Sequence, residues 1–457
     1  MPLLSDAPQK PLLVFMSIPA EGHTNPLLTI AAHLIKQGYD VAYLCSESFR
    51  TKVENVGAEF IKVPELFEDG FELLPPEYAH LSNVSIERQV RQVSHIFYRK
   101  MPLRAQDAMR ALESLRKRNP ERQIIVVEDI MNMGVVPLHY GAPLPAGFDK
   151  PIKRIGISPA ILMVQSQDTG PNFLALPPDS TESGRLRNKV LHRLMAESTF
   201  KPLTEAMRTA FKASGVTNLP DKDPLSVIYT SHDVTLMLCS PSLEYPRSDI
   251  PSSIKFMGCL PRREVNASFK HPSWWSEIVE NSSTNLHRKK VVFVAQGTVN
   301  TDYHELIEPT FEALSGRKDT LIIAALGVRG ATLPEDIEVP ENARVVDYIP
   351  YDAVLEHADV FISNAGYGGM VHAVMNGVPA VLGGETEEKA EVVMRAAWAG
   401  FAWNLKSQTP TSEQVREGVD NVLGDAAYKN RAMELRRENE SLNSLQRIEE
   451  VVASFTE

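Results

Sequence analysis

Short unbroken apolar runs, separated by helix-compatible stretches, recur in two sets along the chain, and no other feature restricts its fold so strongly. PLLVFMSI, DVAYLC, AEFIKV, QIIVVEDI and KRIGIS make up the first set; KKVVFVAQG, TLIIAAL, ARVVDYI, DVFISNAG and PAVLGG make up the second, which begins near residue 290. Runs without polar alternation belong to strands covered on both faces, as in a parallel sheet flanked by helices. The chain is therefore α/β, and two sets predict two Rossmann-like, doubly wound parallel-sheet domains facing each other across a cleft. A chain of 457 residues also exceeds what one hydrophobic core usually organises. The expected division is an N-terminal domain over 1–250, a Pro-, Ser- and Asn-rich linker over 251–285, a C-terminal domain over 286–427, and a helical tail over 428–457 able to cross back to the first domain.

Charge and composition exclude several classes. The formal charge of -11, with no basic block longer than Arg288-Lys289-Lys290, disfavours nucleic acid and anionic lipid as partners. Cys45, Cys239 and Cys259 are an odd set without CxxC spacing, so neither a disulfide framework nor a zinc site is expected and a reducing cytoplasmic setting fits. PLLVFMSIPA is too short to span a bilayer and lacks a basic flank, and no run of about 18 apolar residues follows, so no membrane span is expected. The oligomeric state is not legible.

In doubly wound sheets ligands bind beyond the carboxyl ends of the strands, so residues just after the apolar runs are the candidates. After DVFIS comes Asn364, then Gly366, Tyr367, Gly368 and Gly369, then a helix closed by Gly377. Glycines there let a ligand approach the backbone, and the first helical N–H groups, at the positive end of the helix dipole, suit a diphosphate. The competing reading is tight strand-to-helix packing. A second loop, Gln296, Gly297 and Thr298 after FVA, adds another glycine and a hydroxyl on the same side. Neither loop is a GxGxxG or Walker pattern, which disfavours NAD and ATP.

The stretch VDYIPYDAVLEHADVFISNAGYGGMVHAVMNGVPAVLGGETEEKAE, with AEGHTNP near the N-terminus and the QGT loop, resembles the family 1 UDP-dependent glycosyltransferases of GT-B fold, in their microbial form. The resemblance covers nearly the full length, is specific in the quoted stretch and is weak in the middle third. It implies an inverting, metal-independent hexosyltransferase with no cofactor, whose substrates are a UDP-sugar, most plausibly UDP-glucose, and a hydrophobic hydroxylated small molecule. It places Tyr348 against the nucleobase by stacking and Ile349 beside it by a main-chain group. It places Thr298, Gly366, Gly368 and Gly369 around the diphosphate, His372 near the ribose, and Glu388 and Lys389 beside the sugar hydroxyls, with Gly297, Asn364 and Tyr367 also among the donor-binding residues. The plant-type signature has histidine, tryptophan and asparagine at positions 364, 367 and 368, glutamate at 372, and an acidic residue followed by glutamine at 388 and 389. These departures leave the base and the sugar open.

His23, in IPAEGHTNP, lies between the first strand and its helix, which Asn25 is expected to cap, with Pro26 in the first turn and Gly38 ending it. A lone histidine is commonly structural; the GH.NP resemblance makes this one the general base that deprotonates the acceptor. Neutral imidazole, with an ordinary pKa near 6.5, suits that work. Asp129, closing QIIVVED, is the carboxylate expected to orient it, with Glu128 as rival, and because side chains alternate along a strand only one of them faces the site. A helix cap is the alternative role for Asp129. Phe67, Phe71, Phe97, Met131, Met133 and Met163 follow the N-terminal strands and are expected to line an apolar acceptor pocket, although each alone suits a core equally. Asp221-Lys222-Asp223 reads as a solvated turn, and Trp274-Trp275 as a fastener between domains. Two other functions keep a nucleotide-sugar site: a sugar-nucleotide epimerase, which needs more acid/base groups at the sugar, and a binding protein without turnover.

Overall fold

The computed structural model describes residues 9–63, 74, 76–263, 269–283, 288–298 and 300–456. Two all-parallel sheets organise it. The first contains β1 (Leu12–Met16), β2 (Asp40–Cys45), β3 (Glu59–Lys62), β4 (Ile124–Asp129), β5 (Lys153–Ser158), β6 (Val234–Met237) and β7 (Ile254–Phe256), in spatial order β3-β2-β1-β4-β5-β6-β7. The second contains β8 (Lys290–Ala295), β9 (Thr320–Ala325), β10 (Ala343–Val346), β11 (Val360–Ser363), β12 (Ala380–Leu382) and β13 (Ala402–Asn404), in order β10-β9-β8-β11-β12-β13. The ten apolar runs are ten of these strands, and the central ones are buried along their whole length because helices cover both faces.

Strand order reverses between β1 and β4 in the first sheet and between β8 and β11 in the second, with Met16 beside Glu128 and Ser363 beside Ala295 in register. Such a reversal sends the flanking loops to opposite faces and leaves a crevice between them. His23 and Asp129 follow β1 and end β4; Gly297 and Gly366 follow β8 and β11. Both candidate clusters thus occupy switch points.

Several elements depart from the sequence reading. The three strands absent from it, β6, β7 and β13, have three or four residues each, too few for a periodic signal. The segment 251–285 is more than a linker. It supplies β7 as the edge of the first sheet, and then the helix Trp275–Ser283, where Glu277 pairs with Arg344 at 2.8 Å in the second domain. Trp275 stacks on His271 and meets His357 edge-on, so it fastens this segment to the second domain and does not tie domain to domain. The first helix begins at Glu21, before Asn25, which donates instead to the Glu21 carboxylate, and Pro26 lies inside the helix. Asp221 and Lys222 are exposed, as a solvated turn requires, whereas Asp223 is half-buried: it accepts from Ser226 N–H at 2.8 Å and caps the helix Pro224–Thr230.

The tail forms two helices, Ala426–Leu442 and Ser444–Ser454, joined at Asn443 in the left-handed conformation (φ 47°). The second returns to the first domain, burying Ile448 and Val452 in the cluster of Leu27, Ile30 and Leu34, while His33 meets Glu449 at 3.0 Å. Among the described residues no helix is long and apolar enough to cross a membrane.

Candidate active site

His23 lies in the first turn of the helix Glu21–Lys36, and the closing residue of β4 meets it. Its Nδ1 stands 3.1 Å from Asp129 Oδ2; the carboxylate is wholly buried and the imidazole side chain 22% exposed. Asp129 is held by the backbone N–H groups of Met131 at 3.2 Å and Ile18 at 3.4 Å, so it is an anchored acceptor and does not cap a helix. Nδ1 is committed to the carboxylate, which leaves Nε2 as the nitrogen for a substrate. Burial is the largest influence on His23 and disfavours its charge. The charge and hydrogen bond of Asp129, with the charge of Glu388, more than offset it and raise the pKa above 6.5. Glu388 belongs to the other domain, so the two halves face one site.

Glu128 points to the opposite face of the sheet, as strand alternation requires. There it meets His232 Nε2 at 2.9 Å and accepts from Gly134 N–H at 2.5 Å and Val135 N–H at 3.2 Å. It braces the loop after β4 and does not reach His23.

Beyond β11 the chain turns sharply at Ala365 (φ 61°), and Gly366 precedes the helix Tyr367–Asn376 with no side chain capping the helical N–H groups. A Cβ at Gly366 or at Gly368 would meet nothing within 4 Å, so both face open space. Gly369 differs, lying 3.5 Å from the Phe361 ring by the same test, and serves strand-to-helix packing. The Tyr367 ring is buried. Asn364 is also buried, its Nδ2 donating to the Gln296 carbonyl at 2.6 Å, so it braces the two glycine loops against each other. In the second loop Thr298 is exposed, and Gly297 approaches so near Gly327 that a Cβ there would fall 1.8 Å from the Gly297 carbonyl oxygen.

Tyr348 is half-buried, with the Arg329 guanidinium 4.1 Å from its ring centroid, and Ile349 beside it is buried. His372, one-third exposed, holds Asp352 at 2.8 Å through Nδ1. Burial opposes the Asp352 carboxylate, but His372, Arg263 N–H and Asn376 together keep its pKa low. Glu388 stands at the entry to the helix Lys389–Trp398, and burial followed by repulsion from Glu387 raises its pKa. The Lys389 ammonium turns to Glu387 at 2.7 Å and Thr386 at 2.8 Å. The cleft is bridged by Gln89, which donates to the Glu385 carbonyl at 2.8 Å, and by the fully buried Arg395, which pairs with Glu244 at 2.9 Å.

Of the expected acceptor residues, the four that the structure describes are not gathered into an open pocket. Met131, Met133 and Met163 are buried in the largest hydrophobic cluster, and Phe97 packs against it half-buried. Apolar side chains at the same strand ends serve the core and a ligand equally well, so composition does not separate the two uses. Phe67 and Phe71 lie outside the described residues. A cavity of about 1010 Å³ lies beside the helix Glu182–Glu197 and is lined by neither His23, Asp129 nor the glycine turn. Arg262, Arg263 and Arg329 join the site without belonging to any motif of the sequence, and Asp352 without being one of its candidate residues. For Arg329 the signal was its position just after a strand; for the arginine pair it was hidden in linker-like composition.

Residues 312–455 match the family described as erythromycin biosynthesis protein CIII-like, C-terminal domain. The chain is 37% identical over 446 residues to UDP-glucosyltransferase 1 of Beauveria bassiana, covering 97% of this chain and 95% of that one. It is 34% identical to UDP-glucosyltransferase A1 of Starmerella bombicola, covering 98% and 93%. Among solved structures, the glycotransferase of kitacinnamycin superposes with a TM-score of 0.69 at 20% identity, covering 98% of this chain and 99% of that one, which shows a shared fold. The two parallel-sheet domains, the paired switch-point loops and identity of this extent together place the chain in the UDP-glycosyltransferase family, with GT-B architecture.

Proposed function

We propose that the protein transfers glucose from UDP-glucose to a hydroxyl of a hydrophobic small molecule, with inversion at the anomeric carbon and without a metal. The observation that carries this reading is the buried Asp129 carboxylate 3.1 Å from His23, whose imidazole is in turn sensed by Glu388 of the opposite domain. His23 Nε2 takes the acceptor proton as the acceptor oxygen bonds to the anomeric carbon and the bond from that carbon to the diphosphate oxygen breaks. Asp129 fixes the tautomer and stabilises the imidazolium. UDP departs with the bonding electrons, and the charge growing on it is met by the helix N–H groups after Gly366 and by Thr298.

The uncovered face of Tyr348 receives the uracil, His372 the ribose, and Glu388 the glucose hydroxyls. In this reading Lys389, bound to Glu387 and Thr386, shapes the sugar loop from behind. Acceptor contacts come from N-terminal loops bordering His23. The test is incubation of the purified protein with a panel of UDP-sugars and aromatic or aliphatic alcohols. A product heavier by one hexose, with UDP released only when an acceptor is present, supports transfer; UDP-sugar isomerised without an acceptor would point to an epimerase instead.

A further inference from the structure

A transferase that uses no metal must meet the charge of its leaving diphosphate with protein groups alone. A helix N-terminus offers the equivalent of only about half a positive charge. At the sugar loop the Lys389 ammonium is already paired with Glu387.

One crevice brings a stronger cation to the glycine turn. It is lined jointly by Gly22 and Thr29 of the first helix, by Arg262 and Arg263, and by Gly368 and His372 of the glycine-turn helix. The backbone, not the guanidinium, ties Arg263 down: its N–H donates to Asp352 Oδ2 at 3.0 Å. The other oxygen of that carboxylate accepts from His372 Nδ1 and Asn376 Nδ2, both at 2.8 Å. Arg262 completes the fastening by donating to Asn376 Oδ1 at 3.2 Å. The segment after β7 is thereby pinned along the helix whose N-terminus carries Gly366 and Gly368. The Arg263 side chain stays exposed at the crevice, its guanidinium bonded to the Thr29 hydroxyl at 3.4 Å and paired with no carboxylate among the described residues.

We propose that Arg263 is the cation that grips the donor diphosphate, an assignment that rests on the UDP-sugar reading above. A guanidinium presents parallel N–H donors to two phosphate oxygens and keeps its charge at every working pH, so it supplies what the backbone N–H groups lack. Arg262 and Asp352 are positioning residues that hold it over the glycine turn. Because Arg263 contacts residues of both domains, the diphosphate also becomes a link between them.

The test is calorimetric titration of the full chain with UDP, UMP and uridine. Arg263→Ala should weaken UDP about 10- to 100-fold, the range for loss of a charge-assisted hydrogen-bonded contact, and leave uridine within about twofold. Arg263→Lys should recover part of the UDP affinity, since it keeps the charge and loses the fork. Equal losses for UDP and uridine, or none for either, with an unchanged melting temperature, would overturn the assignment while leaving the transferase reading intact. Failure of the unsubstituted chain to bind UDP would overturn both.

Discussion

Replacing Asp129 with asparagine should remove most of the turnover and displace the acid limb of the pH–rate profile in a fixed direction. In the native site the carboxylate and Glu388 outweigh burial, so His23 titrates above 6.5. The base works in its neutral form, so kcat/KM rises with pH through that raised midpoint. Asparagine keeps the shape and can still accept from Met131 N–H, 3.2 Å away in the native site. It cannot keep the charge, and burial, the largest single influence, then prevails and lowers the midpoint. The new amide also offers an N–H to Nδ1, which favours the tautomer with its proton on Nε2, the nitrogen that has to accept one. General-base assistance is worth about 10² to 10⁴ in rate, or about 2.7 to 5.4 kcal/mol, and the variant should lose a comparable factor in kcat with little change in donor KM. Coupled-enzyme detection of UDP release across the histidine titration range measures both effects. A variant limb coincident with the native one, or retention of more than about a tenth of kcat, would refute the pairing as a catalytic base.

The same pair carries a stability signature. Its folded-state pKa is raised, so its contribution is complete below 6.5 and disappears as pH climbs through the raised value; urea unfolding should show the deficit of Asp129→Asn shrinking over that interval. Glu128→Ala orphans four donors, His232 Nε2, Asn132 Nδ2 and the N–H groups of Gly134 and Val135, and at about 1–3 kcal/mol for each buried one should destabilise strongly in urea while leaving the pH midpoint of His23 in place. Gly368→Val puts a side chain into open space, so stability should move by less than about 1 kcal/mol while donor KM rises at least about tenfold, as measured by chemical unfolding and initial rates. Truncation before Ser444 removes Ile448 and Val452 from the first domain's core, which at about 1.5–3 kcal/mol each predicts a loss of about 3–6 kcal/mol in unfolding experiments.

The architecture was legible because the strongest signal in the sequence is also the strongest physical constraint. Strands buried on both faces must be continuously apolar, and DVAYLC and KRIGIS correspond residue for residue to β2 and β5. Short edge strands such as Ile254–Phe256 bury little and leave little trace. At the site, the rule that function follows strand ends led to His23, Asp129 and Gly366, which the fold does bring to switch points. The rule says nothing about side-chain direction at a loop. Asn364 falls at a strand end yet directs its amide to the Gln296 carbonyl, and Met133 sits in the core. Arg263 owes its place to Asp352, 89 positions away in sequence, a juxtaposition only the folded chain creates.

The returning helix has a consequence for how the chain is made. Leu12 N–H donates to the Gln123 carbonyl at 2.9 Å, and the Gln123 side chain donates to the Phe455 carbonyl at 2.7 Å, so the first and last strand or helix of the described chain meet at one residue. The unit begun first on the ribosome is therefore finished last, because part of its core arrives only with the final helix. The second unit is complete in sequence once the helix Ala426–Leu442, with its buried Ala432 and Leu435, has been made, so its core precedes only the last contribution to its partner's, Ile448 and Val452.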